Sequence, residues 1–354
     1  MPRPWSEPVS PSAVPVATAA DFAACRLVLR RASRTFHAAS LLLPSRVRQP
    51  ASALYAFCRL ADDAADLGGG DAAALDGMRE RLDLAYRGQP FDHPVDRAFA
   101  DVVDRFAIPK TLPDALFEGF DWDLAGRRYG DLAELKCYAA RVAGTVGAMM
   151  AALMGARDAD VVGRACDLGM AMQLSNIARD VGEDARAGRL YLPLDWLREA
   201  GIDPDAWLAA PRFSPALGDV IRRLLRVADD LYRQAERGIG QLPSTCRPGI
   251  HAARHLYAEI GREVERAGGD SVTRRAVVPA KRKALLLARV MMGDEQQARS
   301  HWPVRTAGVE QSRFLVDAVA AAAVPIQPAD PVVWLLLLFE RLERGQRLAL
   351  KRDA

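Results

Sequence analysis

From Asp21 onward apolar positions recur every three to four residues, the period of amphipathic helices, with no βαβ alternation and no fixed-period repeat. Thr18-Ala-Ala-Asp21 has the form of a capping box with Asp in place of Glu, and it predicts a helix through Phe22 to about Ala39. Leu43-Pro44 ends that region, because a residue before proline resists the helical conformation. A second helix is predicted over 46–66 and stops at Gly68-Gly69-Gly70, where glycine supplies a left-handed cap. Further helices are predicted at 71–88, 93–106, 112–125, 131–154, 158–186, 194–200, 214–239, 247–267 and 279–299. The turns between them are short, such as Gly88-Gln89-Pro90, Ile108-Pro109 and Leu242-Pro243. Such connections predict one all-α domain, a helical bundle over 21–300. Residues 1–20 read as a disordered proline-rich tail. The Ala/Pro-rich stretch 318–331 reads as a linker to an amphipathic helix within a C-terminal extension, 301–354.

The longest apolar run, Val332 to Phe339, falls far short of the roughly 20 residues that cross a bilayer. It reads first as a helix burying its apolar side on the body, and second as a peripheral membrane contact. Prolines at 2, 4, 8, 11 and 15 break any apolar core of a signal peptide. The five cysteines, Cys25, Cys58, Cys137, Cys166 and Cys246, lack CxxC spacing, which fits reduced thiols in a cytoplasmic protein and offers no zinc site. A net charge of +3 on 354 residues argues against a nucleic-acid partner.

Two helical segments carry candidate chemistry. In Ala53 to Asp66, the residues Tyr55, Arg59, Asp62 or Asp63, and Asp66 share one side. Carboxylates four residues apart repel, and a divalent cation would offset that repulsion. A solvated acidic patch is the plainer reading of this segment alone. The second segment continues a strongly apolar stretch, Cys166 to Met172, into a polar stripe of Gln173, Asn176, Asp180 and Asp184. A polar stripe continuing a buried helix implies an internal polar cavity. If the two helices face each other, their oxygen ligands suit Mg²⁺, which usually binds through a few carboxylates plus substrate phosphates. The expected ligand is therefore a phosphate ester or diphosphate. Arg59, Arg179, Arg189 and Tyr191 stand nearby in sequence. Arg274, Arg275, Lys281, Arg282 and Lys283 form a later basic cluster, read alone as a solvated surface.

These segments resemble the paired aspartate motifs of the squalene and phytoene synthases, the head-to-head trans-isoprenyl diphosphate synthases, and lie nearest to the bacterial phytoene-forming branch. Ser33-Arg34-Thr35-Phe36 resembles an early hydroxyl-x-hydroxyl-Phe element. Leu54 to Asp66 is similar to the first aspartate motif. Tyr138 and Val142-Ala-Gly-Thr-Val-Gly147 resemble the mid-chain tyrosine and VAGxVG element. Gln173 to Asp184, with Gly188 to Pro193, resembles the second motif and its tail, and Cys246 to Gly261 a late tyrosine helix. Arg274 and Arg275 compete for one diphosphate-contacting position, and beyond about Met292 no motif is recognised.

The resemblance implies an isoprenoid-synthase-type bundle around a central cavity and a prenyltransferase that joins two geranylgeranyl diphosphates through prephytoene diphosphate to phytoene. It implies Mg²⁺, or Mn²⁺ in its place, held by Asp62, Asp66, Asn176, Asp180 and Asp184, with Tyr257 among the catalytic groups. Ser33, Thr35, Phe36, Tyr55, Arg59, Tyr138, Val142, Gly147, Gln173, Asn176, Arg179, Tyr191 and Arg274 or Arg275 are the implied substrate contacts. No NADPH is expected. A phytoene desaturase is expected downstream, and peripheral membrane association accords with a water-insoluble product. Phe36, Val142, Ala143, Gly147, Met150, Leu174 and Ile177 are expected in an apolar wall, and the small Ala38, Ala39 and Ser40 leave room for a twenty-carbon tail. The alternatives are a farnesyl-using relative making squalene, hydroxysqualene or dehydrosqualene, and an inactive helical homologue acting in assembly.

Overall fold

A computed structural model describes residues 17–67, 72–292 and 310–322, with side chains for all of these except 66, 67 and 72. The elements are α1 (Ala19–Ala32), α2 (Arg34–Ser40), α3 (Ser45–Leu67), α4 (Ala72–Tyr86), α5 (Pro94–Arg105), α6 (Thr111–Leu124), α7 (Leu132–Ala139), a π-helical turn (Ala140–Gly144) and α8 (Thr145–Leu153). There follow α9 (Ala159–Arg186), α10 (Leu194–Glu199), α11 (Pro204–Ala209), α12 (Pro215–Ile239), α13 (Arg247–Arg266), α14 (Ala280–Met291) and α15 (Arg313–Ala321). No strand occurs among the described residues, so the all-α expectation holds. None of their helices is long and apolar enough to cross a membrane.

The N-terminal capping box forms as expected. The Thr18 hydroxyl accepts from the Asp21 N–H at 3.2 Å, and the Asp21 carboxylate accepts from the Thr18 N–H at 2.9 Å. Arg97 of α5 then closes on the buried Asp21 at 2.6 Å, tying α5 to α1. The single helix expected over 22–39 is two. Ser33 adopts extended dihedrals (φ −141°, ψ 101°), and its hydroxyl caps α2 by accepting from the Phe36 N–H at 3.2 Å. The predicted 131–154 helix is interrupted by the π-helical turn, a local widening common at functional sites. Helix α11 was not expected: its Asp203 cap and Pro204 start are orthodox, but six residues carry too little periodicity to stand out. Part of the supposed 318–331 linker is α15, whose Leu315 and Val319 are fully buried.

Helix α9 is the central element, about 42 Å long at 1.5 Å per residue. It packs against α12, α8, the π-turn and α13. Two glycines set the closest of these contacts. A Cβ on Gly147 of α8 would stand 2.1 Å from the Ala165 carbonyl oxygen, and one on Gly169 of α9 would stand 2.1 Å from that of Ala143. The glycines of the VAGxVG stretch and its partner on α9 thus let two backbones touch where any side chain would hold them apart. The 1–16 tail, the glycine stop at 68–70, the end of the 279–299 helix and the Val332–Phe339 run lie outside the described residues.

Candidate active site

Between α2, α3, α6, the π-turn, α8, α9, α12 and α13 lies a cavity of about 370 Å³. Its wall is mainly apolar. Phe36, Leu54, Leu116, Phe120, Val142, Val146, Met150 and Leu168 line its length, and Ala39, Ser40 and Leu43 bound one side. The Cys58 thiol also lies in the wall, where burial, reinforced by the Asp62 charge, pushes it up to about 12. At another part of the wall Arg164 is buried with Asp167 at 2.8 Å, both about 2% exposed or less. Of the expected wall residues, Ala38, Leu174 and Ile177 do not line the space; Leu174 and Ile177 are ordinary core.

Polar groups gather along the α3 and α9 sides. From α3, Tyr55, Arg59 and Asp62 line the cavity. Arg59 pairs with Asp62 at 2.9 Å and with Asp63 at 2.5 Å, so Asp62 is the acid of that pair in the wall. Asp66 falls in the last turn of α3, and its side chain lies outside the described residues. From α9, Gln173 and Asn176 line the cavity. One and two turns further on stand Asp180 and Asp184. Burial would raise the Asp180 carboxyl, but two guanidinium forks hold it below its ordinary value: Arg179 at 2.7 and 2.6 Å, and Arg275 at 2.8 and 3.1 Å. Asp184 is the opposite case. Burial, then the negative charges of Asp180 and Asp123, push its carboxyl up to about 7 against the pull of Arg189.

Arg275, not Arg274, is therefore the late arginine that reaches the acidic stripe. Its route depends on a third bare contact. Gly182 donates its N–H to the Ser271 carbonyl at 3.1 Å, and a Cβ there would strike the Val272 carbonyl oxygen at 2.3 Å. Without a side chain at 182 the 271–275 segment lies flat on α9. Arg274 is exposed and makes no contact with the stripe. The rest of the late basic cluster divides. Arg282 pairs with Glu259 at 2.9 Å, Lys283 approaches the Thr35 hydroxyl at 3.5 Å, and Lys281 is exposed.

The tyrosines form two groups. Tyr138 and Tyr191 donate to the two oxygens of Asp123, at 2.8 and 2.7 Å, and their rings stack at 5.2 Å. Asp123 lines the cavity and was not foreseen from the sequence. Tyr129 packs on both rings, and its buried hydroxyl has no hydrogen-bond partner among the described residues. Tyr257 packs on Phe36 at 4.8 Å, and Phe36 on Tyr55 at 5.8 Å, with Ser33 beside both hydroxyls. Burial raises Tyr257 above its ordinary value, against the nearby Arg179, so it remains a neutral donor.

Among the described residues no three carboxylate, His or Cys side chains form a ready metal cage. Mg²⁺ requires less, one or two carboxylates completed by water and phosphate oxygens. Asp184 fits such an ion, because its burial beside two other acids leaves negative charge that a cation would relieve. The arginines around it fit an anion, and the site as a whole fits a metal–diphosphate pair above an apolar tunnel.

A family model described as squalene/phytoene synthase matches residues 29–282. A phytoene synthase of Rhodobacter capsulatus is 48% identical over 333 residues, covering 92% of this chain and 98% of the relative. One from Cereibacter sphaeroides is 47% identical over 340 residues, covering 92% and 95%. Among solved structures, a dehydrosqualene synthase in complex with a ligand matches with a TM-score of 0.71 at 31% identity, covering 78% of this chain and 97% of that one.

Proposed function

We propose that this chain, which belongs to the squalene/phytoene synthase family, is a phytoene synthase, a prenyltransferase that condenses two geranylgeranyl diphosphates head to head. The carrying observation is a mainly apolar cavity whose wall includes Arg59, Asp62, Asp123, Gln173 and Asn176, with Asp180 and Asp184 outside the wall, one and two turns beyond Asn176 on α9. Asp62, Asp180 and Asp184, with Asn176 and the Asp66 position, are the groups that would hold Mg²⁺. The ion would supply Lewis-acid stabilisation of the departing diphosphate.

The protein's own residues account for the rest. Arg59, Arg179 and Arg275 present fork donors to diphosphate oxygens, the geometry in which guanidinium is strongest. Neutral Tyr257, and Tyr138 and Tyr191 fixed by Asp123, present hydroxyls at the same end. The apolar wall excludes water from the allylic cation, so that the alkene of the second substrate captures it before solvent does. Proton loss then gives prephytoene diphosphate, and its ionisation, rearrangement and second proton loss give phytoene. Relatives at 47–48% identity named phytoene synthase support this product over squalene-type ones.

Geranylgeranyl diphosphate and Mg²⁺, without a nicotinamide, are expected to yield phytoene by chromatography and mass spectrometry, with EDTA reducing the yield to background. A requirement for NADPH, or a thirty-carbon product from farnesyl diphosphate in preference, would reassign the reaction. Ser40 supplies the length test, because it lines the cavity beside Ala39. Ser40→Phe is expected to lower kcat/KM for the twenty-carbon substrate relative to the fifteen-carbon one by about tenfold, the scale on which apolar pockets sense a few methylenes. An unchanged ratio in paired assays would show that the tail ends elsewhere.

A further inference from the structure

Behind the tunnel wall the structure holds a second cavity, of about 560 Å³, opening to the surface between α1, α2 and α3. Its chemistry differs from the tunnel's. Arg26 and Arg30 of α1, His37 of α2 and Arg48 of α3 line it, and no carboxylate does. Many arginines elsewhere on the body are tied to acids, as Arg79 is to Asp121, Arg97 to Asp21 and Arg262 to Asp229. Arg26, Arg30 and Arg48 have no ion-pair partner among the described residues. Three unneutralised guanidinium groups around one concavity are an anion site.

Two further features narrow the anion. Leu27 and Leu41, 37% and 55% exposed, are apolar residues of the same cleft open to solvent. Leu29 and Ser40 line both this cleft and the tunnel, so the partition between them is a single layer of side chains. A basic hollow with exposed leucines, one layer from a hydrocarbon tunnel, matches an anion that carries its own hydrocarbon and lies in a sheet of others. We propose that the α1–α2–α3 cleft is a binding site for the phosphate headgroup of anionic membrane lipids, and that it seats this face of the protein on the bilayer.

The test is sedimentation of the full chain with vesicles of phosphatidylcholine, with and without 30 mol% phosphatidylglycerol, for the wild type and an Arg26→Gln/Arg30→Gln/Arg48→Gln variant. The wild type is expected to bind the anionic vesicles, and the triple variant to bind about 100-fold more weakly, a basic residue near an anionic leaflet being worth roughly fivefold. Arg30→Gln and Arg48→Gln alone are expected to lose about fivefold each, which keeps the result readable if the triple variant folds poorly. Arg222→Gln/Arg223→Gln/Arg226→Gln, on α12, is the charge-matched control and is expected to bind as the wild type. Equal vesicle binding by wild type and triple variant overturns the proposal. So does tight protection of the wild type, but not of the triple variant, by inorganic phosphate or diphosphate in a melting assay with no vesicle binding, which would make the cleft a soluble-anion site. Sedimentation needs no turnover, so its outcome is independent of the product assignment. In detergent the triple variant is expected to retain wild-type turnover.

Discussion

Asp184→Asn is expected to abolish turnover and at the same time to raise the melting temperature of the metal-free protein at pH 8. The carboxyl is pushed up to about 7 by burial and by the charges of Asp180 and Asp123, whereas an unfolded chain ionises it near 3.8. Between those values the folded protein holds the proton more tightly than the unfolded one. Stability therefore falls as pH rises from about 4 to 7 and stays lowered above it. Asparagine keeps the shape and removes the charge. We expect a gain of about 1–2 kcal/mol at pH 8, discounted for partial solvation, or about 2–3 °C in a body of this size. Wild-type protein in EDTA should melt at falling temperature from pH 5 to 8, and the variant should flatten that slope. A variant that melts below wild type at pH 8 would mean that the carboxylate is not crowded and that no excess charge there calls for a cation. A variant that retains turnover would remove Asp184 from the site directly.

Gly147→Ala carries the second large effect. The added carbon would lie 2.1 Å from the Ala165 carbonyl oxygen and 2.6 Å from its carbon, both backbone atoms of α9 that cannot swing away. Relief requires α8 and α9 to separate, which opens the cavity wall they share. Overpacking of this kind costs about 3 kcal/mol, or roughly 5 °C in a body of this size. Gly77→Ala in α4 is the matched control. Nothing lies within 4 Å of its added carbon, and a glycine inside a helix gives up about 1 kcal/mol relative to alanine, so that variant should melt slightly higher. Melting curves for the pair separate a specific helix contact from a general intolerance of substitution. Equal curves would refute the close-contact account of the VAGxVG glycines.

Periodicity and punctuation made most helices legible from sequence, because each buries one face and ends on a Gly, Pro or capped residue. Failures arose where a local preference depends on three-dimensional context. Ser33 looks like one more polar residue in a helix, but the structure uses its hydroxyl as a cap and bends the chain so that Phe36 meets Tyr257. The π-turn leaves no mark in a 3.6-residue period. At the site, the acidic stripe of α9 was readable because charge interrupts an apolar helix. Asp123 was not, since Asp121 and Asp123 stand two apart on α6, and only packing decides which faces the tyrosines. Its one sequence signal was the set of three acids, Glu118, Asp121 and Asp123, inside the otherwise apolar run from Ala115 to Leu124. Leu174 and Ile177 show the converse: an apolar residue beside a site residue on one helix can belong to the core behind it. The choice between Arg274 and Arg275 was open until the bare backbone of Gly182 fixed how the late segment lies on α9.

The protonation state of Cys58, half-buried in the cavity wall, bears on how such a chamber survives its own chemistry. Sulfur is the softest nucleophile that a side chain offers, and a carbocation formed beside a thiolate would alkylate it and end the life of the catalyst. With the group pushed up to about 12, only about one molecule in ten thousand carries the anion at pH 8. The same apolar surroundings that lengthen the life of the reactive species thus keep the neighbouring sulfur in its neutral, less nucleophilic form.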